Sequence, residues 1–298
     1  MSVFVLAHLS DPHLAPLPPP RAIELAGKRI GGFINWRRNR QRVHLSTVLE
    51  RIVADVKSRT PDHVVVTGDL LNLSLAAEYA PALAWLQRLG SAHDLTLIPG
   101  NHDTYVRAMA GHPQRHWADY MRGDAAGGAA FPFLRRRGPA ALIGLSTAVP
   151  APAFRATGQL GPAQLGAFTE MLAALQHENV FRVVLLHHPP LIGPARQHDR
   201  LLDEDAFLDV LRAHGAELVL HGHEHLHSLR WLEGPGRPIP AVGVPSASAA
   251  AGGKYDGAGY NLYRIEPQSV GWRCEALSYG LTPDGGRVVE LKRNVLAG

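Results

Sequence analysis

Two stretches decide the fold: His63-Val64-Val65-Val66-Thr67-Gly68-Asp69, and Leu95-Thr96-Leu97-Ile98-Pro99-Gly100-Asn101-His102-Asp103. Each is a short apolar, β-branched run that meets a glycine and then side chains able to bind a metal. A short apolar run bounded by turn residues reads as a buried strand. Three further strands end in the same way. SVFVLAHLS runs into Asp11-Pro12-His13, FRVVLLHH into His187-His188-Pro189-Pro190, and ELVLHG into His221-Gly222-His223-Glu224-His225. ALIGLST is a further strand of this region.

Between these strands the apolar spacing is helical. Val43, Val48, Leu49, Ile52, Val53 and Val56 form a stripe over residues 43–58, Pro162 opens a second helix over 162–176, and 76–89 and 203–213 have the same texture. Strands alternating with helices predict an α/β fold with its sheet covered by helices. After residue 225 the pattern changes to strand-like runs separated by Gly and Pro, predicting antiparallel strands that form a second sheet or extend the first. LAPLPPP at 14–20 and the Gly/Ala stretch at 123–130 read as loops. With no internal repeat and no dividing linker, the reading is one domain over 1–298, an α/β part to about residue 227 and a β-rich part from 228.

Composition narrows the class. The chain has 46% hydrophobic residues, enough for a sizeable core, and no apolar run near the length of about 20 residues that spans a bilayer. The N-terminus lacks the basic lead of a signal peptide, and a single cysteine, Cys274, excludes an internal disulfide framework or a thiolate-rich metal site. These features point to the cytoplasm, with peripheral membrane attachment as an open alternative. The formal charge of +4 and pI near 9.4 favour anionic partners, and 17 histidines are the compositional outlier.

Ligands of α/β sheets bind beyond the carboxyl ends of the strands, so the five polar exits should meet in space. Residues i and i+2 of an extended segment point the same way, which pairs Asp11 with His13 and His223 with His225. Gly222 between them allows close backbone approach. Carboxylate, amide and imidazole donors without thiolate suit Mn, Fe or Zn. Asp11, His13, Asp69, Asn101, His223, His225 and one of the His187/His188 pair are too many for one tetrahedral ion but fit two ions sharing Asp69. Two such ions can lower the pKa of a bridging water, giving a hydroxide nucleophile at neutral pH, and can stabilise an in-line displacement at phosphorus. His102 is then placed to protonate the leaving oxygen or neutralise phosphoryl charge, with Asp103 orienting it.

These motifs, DPH, GDL, GNHD, HHPP and GHEH, resemble those of the calcineurin-like metallophosphoesterase superfamily over about residues 4–227. The resemblance implies a four-layer αββα sandwich of two mixed sheets flanked by helices. It implies one divalent or trivalent ion held by Asp11, His13, Asp69 and His225, and a second held by Asp69, Asn101, His187 and His223. It gives His102 the leaving-group role and leaves His188 to contact substrate or to support the ligands. The HHPP, GNHD and GHEH forms look like the branch of cyclic-nucleotide and glycerophosphodiester phosphodiesterases, so a phosphodiester substrate leads, ahead of a phosphomonoesterase, a nuclease or a non-catalytic phosphate-binding module.

Outside the motifs, His227 could face the same cleft and touch substrate, whereas His8 and His221 read as core or supporting histidines. His44, His63 and the remaining histidines have no motif context and read as structural or exposed. The segment from Lys28 to Arg42 carries Lys28, Arg29, Arg37, Arg38, Arg40 and Arg42 with no acid, interleaved with Ile30, Phe33, Ile34 and Trp36. That mixture suits an anionic membrane surface, with nucleic acid as the competing partner and a solvated loop as the plain alternative. Oligomeric state has no signature in the sequence.

Overall fold

A computed structural model describes residues 3–125, 127–128, 130–191, 198–253 and 256–297. Ala126 and Ala129 of the expected Gly/Ala loop lie outside the described residues. Strands β1 (Phe4–Leu9), β2 (His63–Val66) and β3 (Leu95–Leu97) run parallel at one side of the first sheet. On the other side of β1 the sheet continues antiparallel through β10 (Gly259–Pro267), β11 (Trp272–Leu281) and β12 (Val288–Ala297). The second sheet has the order β4 (Phe133–Arg137), β5 (Ala140–Gly144), β6 (Phe181–Leu185), β7 (Leu218–His221), β9 (Ile239–Gly243), β8 (Ser228–Leu232), with β5, β6, β7 and β9 parallel. Both sheets are six-stranded and mixed, flanked by helices, as the sandwich expectation requires.

The β-rich tail is therefore divided. Its first two strands complete the second sheet, and its last three extend the first.

Side-chain alternation shows why the second sheet is buried on both faces. Leu142, Val183, Leu185, Leu218 and Leu220 pack with residues of the first sheet, such as Leu6 and Tyr263. The intervening Ala141, Ile143, Val184, Leu186 and Val219 pack with Phe168, Leu172 and Leu175 of α6 (Pro162–Leu175) and with Phe207 and Leu211 of α7 (Glu204–His214). This period of two places one helix layer outside and a second sheet inside. On the first sheet, α3 (Ser46–Ser58) contributes Val48, Leu49, Ile52 and Val56, and α4 (Ala76–Leu89) contributes Tyr79, Trp85 and Leu86. A short helix α5 (His112–Trp117) anchors the following loop through buried Trp117.

The segment after β1 is helical rather than a loop. Helix α1 (Lys28–Asn35) runs through a π-helical turn at Trp36–Arg40 into α2 (Gln41–Val43). Phe33 and Trp36 pack against Leu17, Leu73 and Leu75. Interleaved cations hid that apolar stripe in the sequence.

Candidate metal centre

The five strand exits converge, and the backbone there is held in an uncommon conformation. Asp11 (φ 51), His13 (φ 37), Asp69 (φ 56), His223 (φ 68) and His225 (φ 56) all lie in the left-handed region. For non-glycine residues this costs about 1 kcal/mol or more each and persists only where surroundings impose it. Hydrogen bonds between neighbouring exits impose it. The Asp11 N–H donates to Gly68 O (2.9 Å), His13 N–H to Asp69 O (3.1 Å) and Gly222 N–H to His187 O (3.1 Å).

Glycine sets the spacing. A Cβ on Gly100 would fall on the Asp69 carboxylate, and one on Gly222 would meet Ser10 Oγ and the Asp11 carboxylate. Neither position has room for a side chain.

Ligand atoms of Asp11, His13 and Asp69 lie within 4.8 Å of one another, and so do those of Asp69, His187 and His223. Asp69 belongs to both groups. His225 Nε2 lies 3.1 Å from Asp11 Oδ1, and Asn101 Oδ1 lies 3.1 Å from His187 Nε2. All seven expected ligand residues are thus brought together. His13 and His187 are fixed in orientation because Nδ1–H of each donates to a carbonyl, Leu71 O at 2.9 Å and Thr67 O at 2.6 Å, turning each Nε2 toward the cluster. This is the arrangement by which ligating histidines are oriented.

The electrostatics also fit cations. Asp11 and Asp69 are buried, which raises a carboxyl's pKa, yet both are held below the ordinary carboxylate range, chiefly by the facing His225 and His187 respectively. Burial lowers the His187 pKa, but the Asp69 carboxylate outweighs it and raises the value to about 9. The Arg40 guanidinium enters the same space, donating to His13 Nε2 (2.7 Å) and to His102 Nε2 (2.9 Å). Two buried carboxylates draw positive charge to this point, and their donor set suits hard or borderline metal ions.

His102 donates from Nδ1 to Asn72 O (2.6 Å), which turns Nε2 into the cluster. Burial, then the Arg40 charge, lowers its pKa to about 3, so the ring is neutral at physiological pH. The orienting group is therefore the Asn72 carbonyl, where the sequence suggests Asp103. The buried Asp103 carboxylate instead accepts three backbone N–H groups, from Gly100 (2.8 Å), Asp69 (2.9 Å) and Leu71 (3.0 Å). Burial, then the neighbouring Asp69, raises its pKa above the ordinary carboxyl value, and the N–H groups of Gly100 and Leu71 oppose that rise. Asp103 ties the Asp69 exit to the Asn101 exit.

Of the two roles expected of His188, substrate contact or support of the ligands, its surroundings fit the second. It is fully buried, its Nδ1 accepts from Thr147 Oγ1 (2.7 Å), and its Nε2–H donates to Ala156 O (3.0 Å). Both ring nitrogens are engaged, so it supports His223, whose ring centre lies 4.4 Å away. His227 is half-buried and outside the converging groups of ligand atoms, with its N–H held by Asp256 (2.8 Å).

Two residues without a motif signal belong to the site. His44 is buried with Nδ1 2.9 Å from Ser248 Oγ and its ring centre 4.5 Å from that of His13, and its ligand atom joins those of His13 and His225 within 4.8 Å. Arg40 is the other. Both come from the segment between β1 and α3, and only the fold brings them to the cluster.

Residues 4–227 match the family profile of the calcineurin-like phosphoesterases. The chain belongs to that family. A calcineurin-like phosphoesterase is a hydrolase of phosphoric esters, and in this one Asp and His side chains converge in groups that could hold a metal ion. Two relatives from Synechococcus strains, each named a probable cyclic nucleotide phosphodiesterase, are 26% identical over 75% of this chain and 79% of the relative, and 28% identical over 81% of each. Among solved structures, a dimetal phosphatase from Danio rerio superposes with a TM-score of 0.61 at 13% identity, covering 99% of this phosphoesterase and 98% of that chain. A purple acid phosphatase from yellow lupin seeds, Lupinus luteus, also gives 0.61 at 12% identity, over 97% of this chain and 53% of that one. At such identities the structures establish the shared fold.

Proposed function

We propose that this phosphoesterase hydrolyses a phosphodiester at a dinuclear metal centre. The observation that carries the reading is the position of Asp69, whose carboxylate belongs to both groups of converging ligand atoms. Asp11, His13, Asp69 and His225 would hold one ion, and Asp69, Asn101, His187 and His223 the other. The pair would supply Lewis acidity and an acidified water able to attack phosphorus at neutral pH. His102, fixed through Asn72, presents Nε2 to the cluster; that atom is unprotonated in the neutral ring, so a leaving-group role would have it first take up the proton released as the attacking water ionises and then pass it to the departing oxygen. Arg40, already on the Nε2 atoms of His13 and His102, is the residue best placed to meet the negative phosphoryl oxygens.

The names of the Synechococcus relatives favour a diester. One observation favours a second reading, a phosphomonoesterase. Arg40 adds a cation to the site, and a monoester dianion carries one more negative charge than a diester. Protein reconstituted with Mn, Fe or Zn and assayed on bis-p-nitrophenyl phosphate and p-nitrophenyl phosphate separates the two. Higher kcat/KM on the diester supports the proposal, preference for the monoester replaces it with the second reading, and inactivity on both with every metal leaves a non-catalytic phosphate-binding module.

A further inference from the structure

Residues 28–40 have two faces. Lys28, Arg29, Gly32, Phe33, Trp36 and Arg40 are turned partly inward, while Ile30, Ile34, Arg37 and Arg38 are exposed. The inward cations have partners. Lys28 Nζ donates to Ala151 O (3.0 Å) and sits 4.2 Å over the Tyr105 ring, Arg29 donates to the carbonyls of Leu73 (3.0 Å) and Ser74, and Arg40 enters the metal centre. The outward face differs in kind. Ile30 and Ile34 are 56% and 45% exposed, Ile23 just before them is 78% exposed, and Arg37, Arg38 and Arg42 are exposed around them. From Leu25 to Leu49 the chain has no acidic residue.

We infer that this face docks on an anionic lipid surface. Large aliphatic side chains ringed by arginines match the boundary between acyl chains and anionic headgroups, where apolar burial and charge attraction act together. The charge pattern argues against other occupants. A second copy of the chain would set Arg37, Arg38 and Arg42 against their own kind. A single-stranded nucleic acid gains from an aromatic on which its bases stack, but Trp36 stacks on Phe33, with ring centres 6.3 Å apart at 10°, and the exposed isoleucines offer a nucleic acid nothing. Because Arg40 belongs to the same helical segment, docking would hold the metal centre beside the membrane and favour a phosphoester carried on a lipid. The substrate clause rests on the proposed phosphodiesterase reading; the docking itself does not.

The test is co-sedimentation of the full chain with vesicles of phosphatidylcholine alone or mixed with phosphatidylglycerol. Binding is expected to the mixed vesicles only. It should fall roughly fivefold for each of Arg37→Gln and Arg38→Gln, at about one surface cation's worth of attraction, and fall further in high salt. The double variant Ile30→Asp/Ile34→Asp should abolish it. All these residues are exposed, so hydrolysis of bis-p-nitrophenyl phosphate should be unchanged in each variant, which reports folding and keeps the docking question apart from the reaction. Equal binding by wild type and variants, no binding to either vesicle, or binding to an oligonucleotide in preference to mixed vesicles would overturn the inference.

Discussion

Replacing Asp103 with Ala should act on stability first and on chemistry through it. Its Oδ2 receives the N–H groups of Gly100 and Asp69, at 2.8 and 2.9 Å, and Oδ1 receives that of Leu71 at 3.0 Å. All three donors lie in buried backbone, and alanine would leave them without this acceptor. At about 1–3 kcal/mol for each orphaned group, and allowing for non-additivity, the loss is about 3–6 kcal/mol. That is a large share of the roughly 5–15 kcal/mol by which a protein of ordinary stability stays folded. Asp103→Asn should cost less, about 1–3 kcal/mol, because one oxygen can still serve Gly100 and Asp69 while the amide opposes only the Leu71 N–H. Urea unfolding followed by circular dichroism gives both values. If Asp103 acted instead by orienting His102, either variant would unfold near the wild-type midpoint and reveal itself only in kcat. A stability loss below about 1 kcal/mol for Asp103→Ala would refute the anchoring role.

The other predictions concern different parts of the structure. His102→Ala should lower kcat on bis-p-nitrophenyl phosphate by about 10²–10⁴-fold while metal content by mass spectrometry is unchanged, as the proposed role of its Nε2 at the substrate requires; a loss of metal would make His102 a ligand instead. His44→Ala should weaken binding of one Mn ion by about 10–100-fold in isothermal titration, and an unchanged isotherm would make His44 only a packing residue. Gly222→Ala should reduce metal occupancy, because the added Cβ displaces the Asp11 carboxylate; full occupancy would show that the backbone can yield there. Arg182 donates to both Glu217 oxygens, at 2.8 and 2.9 Å. Burial raises the Glu217 carboxyl, but Arg182 outweighs it and holds the pKa below its ordinary 4.5. The stability this pair contributes is present above about pH 4.5 and is lost as pH falls through the lower folded-state value, so Glu217→Gln should flatten the acid limb of the midpoint-versus-pH curve.

What was legible in the sequence follows from physical range. A buried strand writes its exit in consecutive residues, so Asp11, His13, Asp69, Asn101, His187, His223 and His225 could be read in order. Parallel strands then place the exits of β1, β2 and β3 at one end of the first sheet and those of β6 and β7 at one end of the second. The split of the tail between two sheets was not legible, because an antiparallel strand of Gly259–Pro267 type pairs with any suitable edge. His44 and Arg40 were missed for a related reason: they reach the site by tertiary packing of a helical segment whose apolar stripe is interrupted by cations. Asp103 faces the backbone behind the cluster and not His102, and His188 takes the supporting one of its two expected places, since one residue of register decides which way a side chain turns.

The central claim is that Asp69 joins two metal sites built from five strand ends. Equilibrium dialysis of the stripped protein against Mn, with the bound metal counted by mass spectrometry, tests it directly. Two ions per chain are expected for the wild type, with loss of both high-affinity sites in Asp69→Ala. A single ion per chain, or two ions retained with unchanged affinity in the variant, would contradict it.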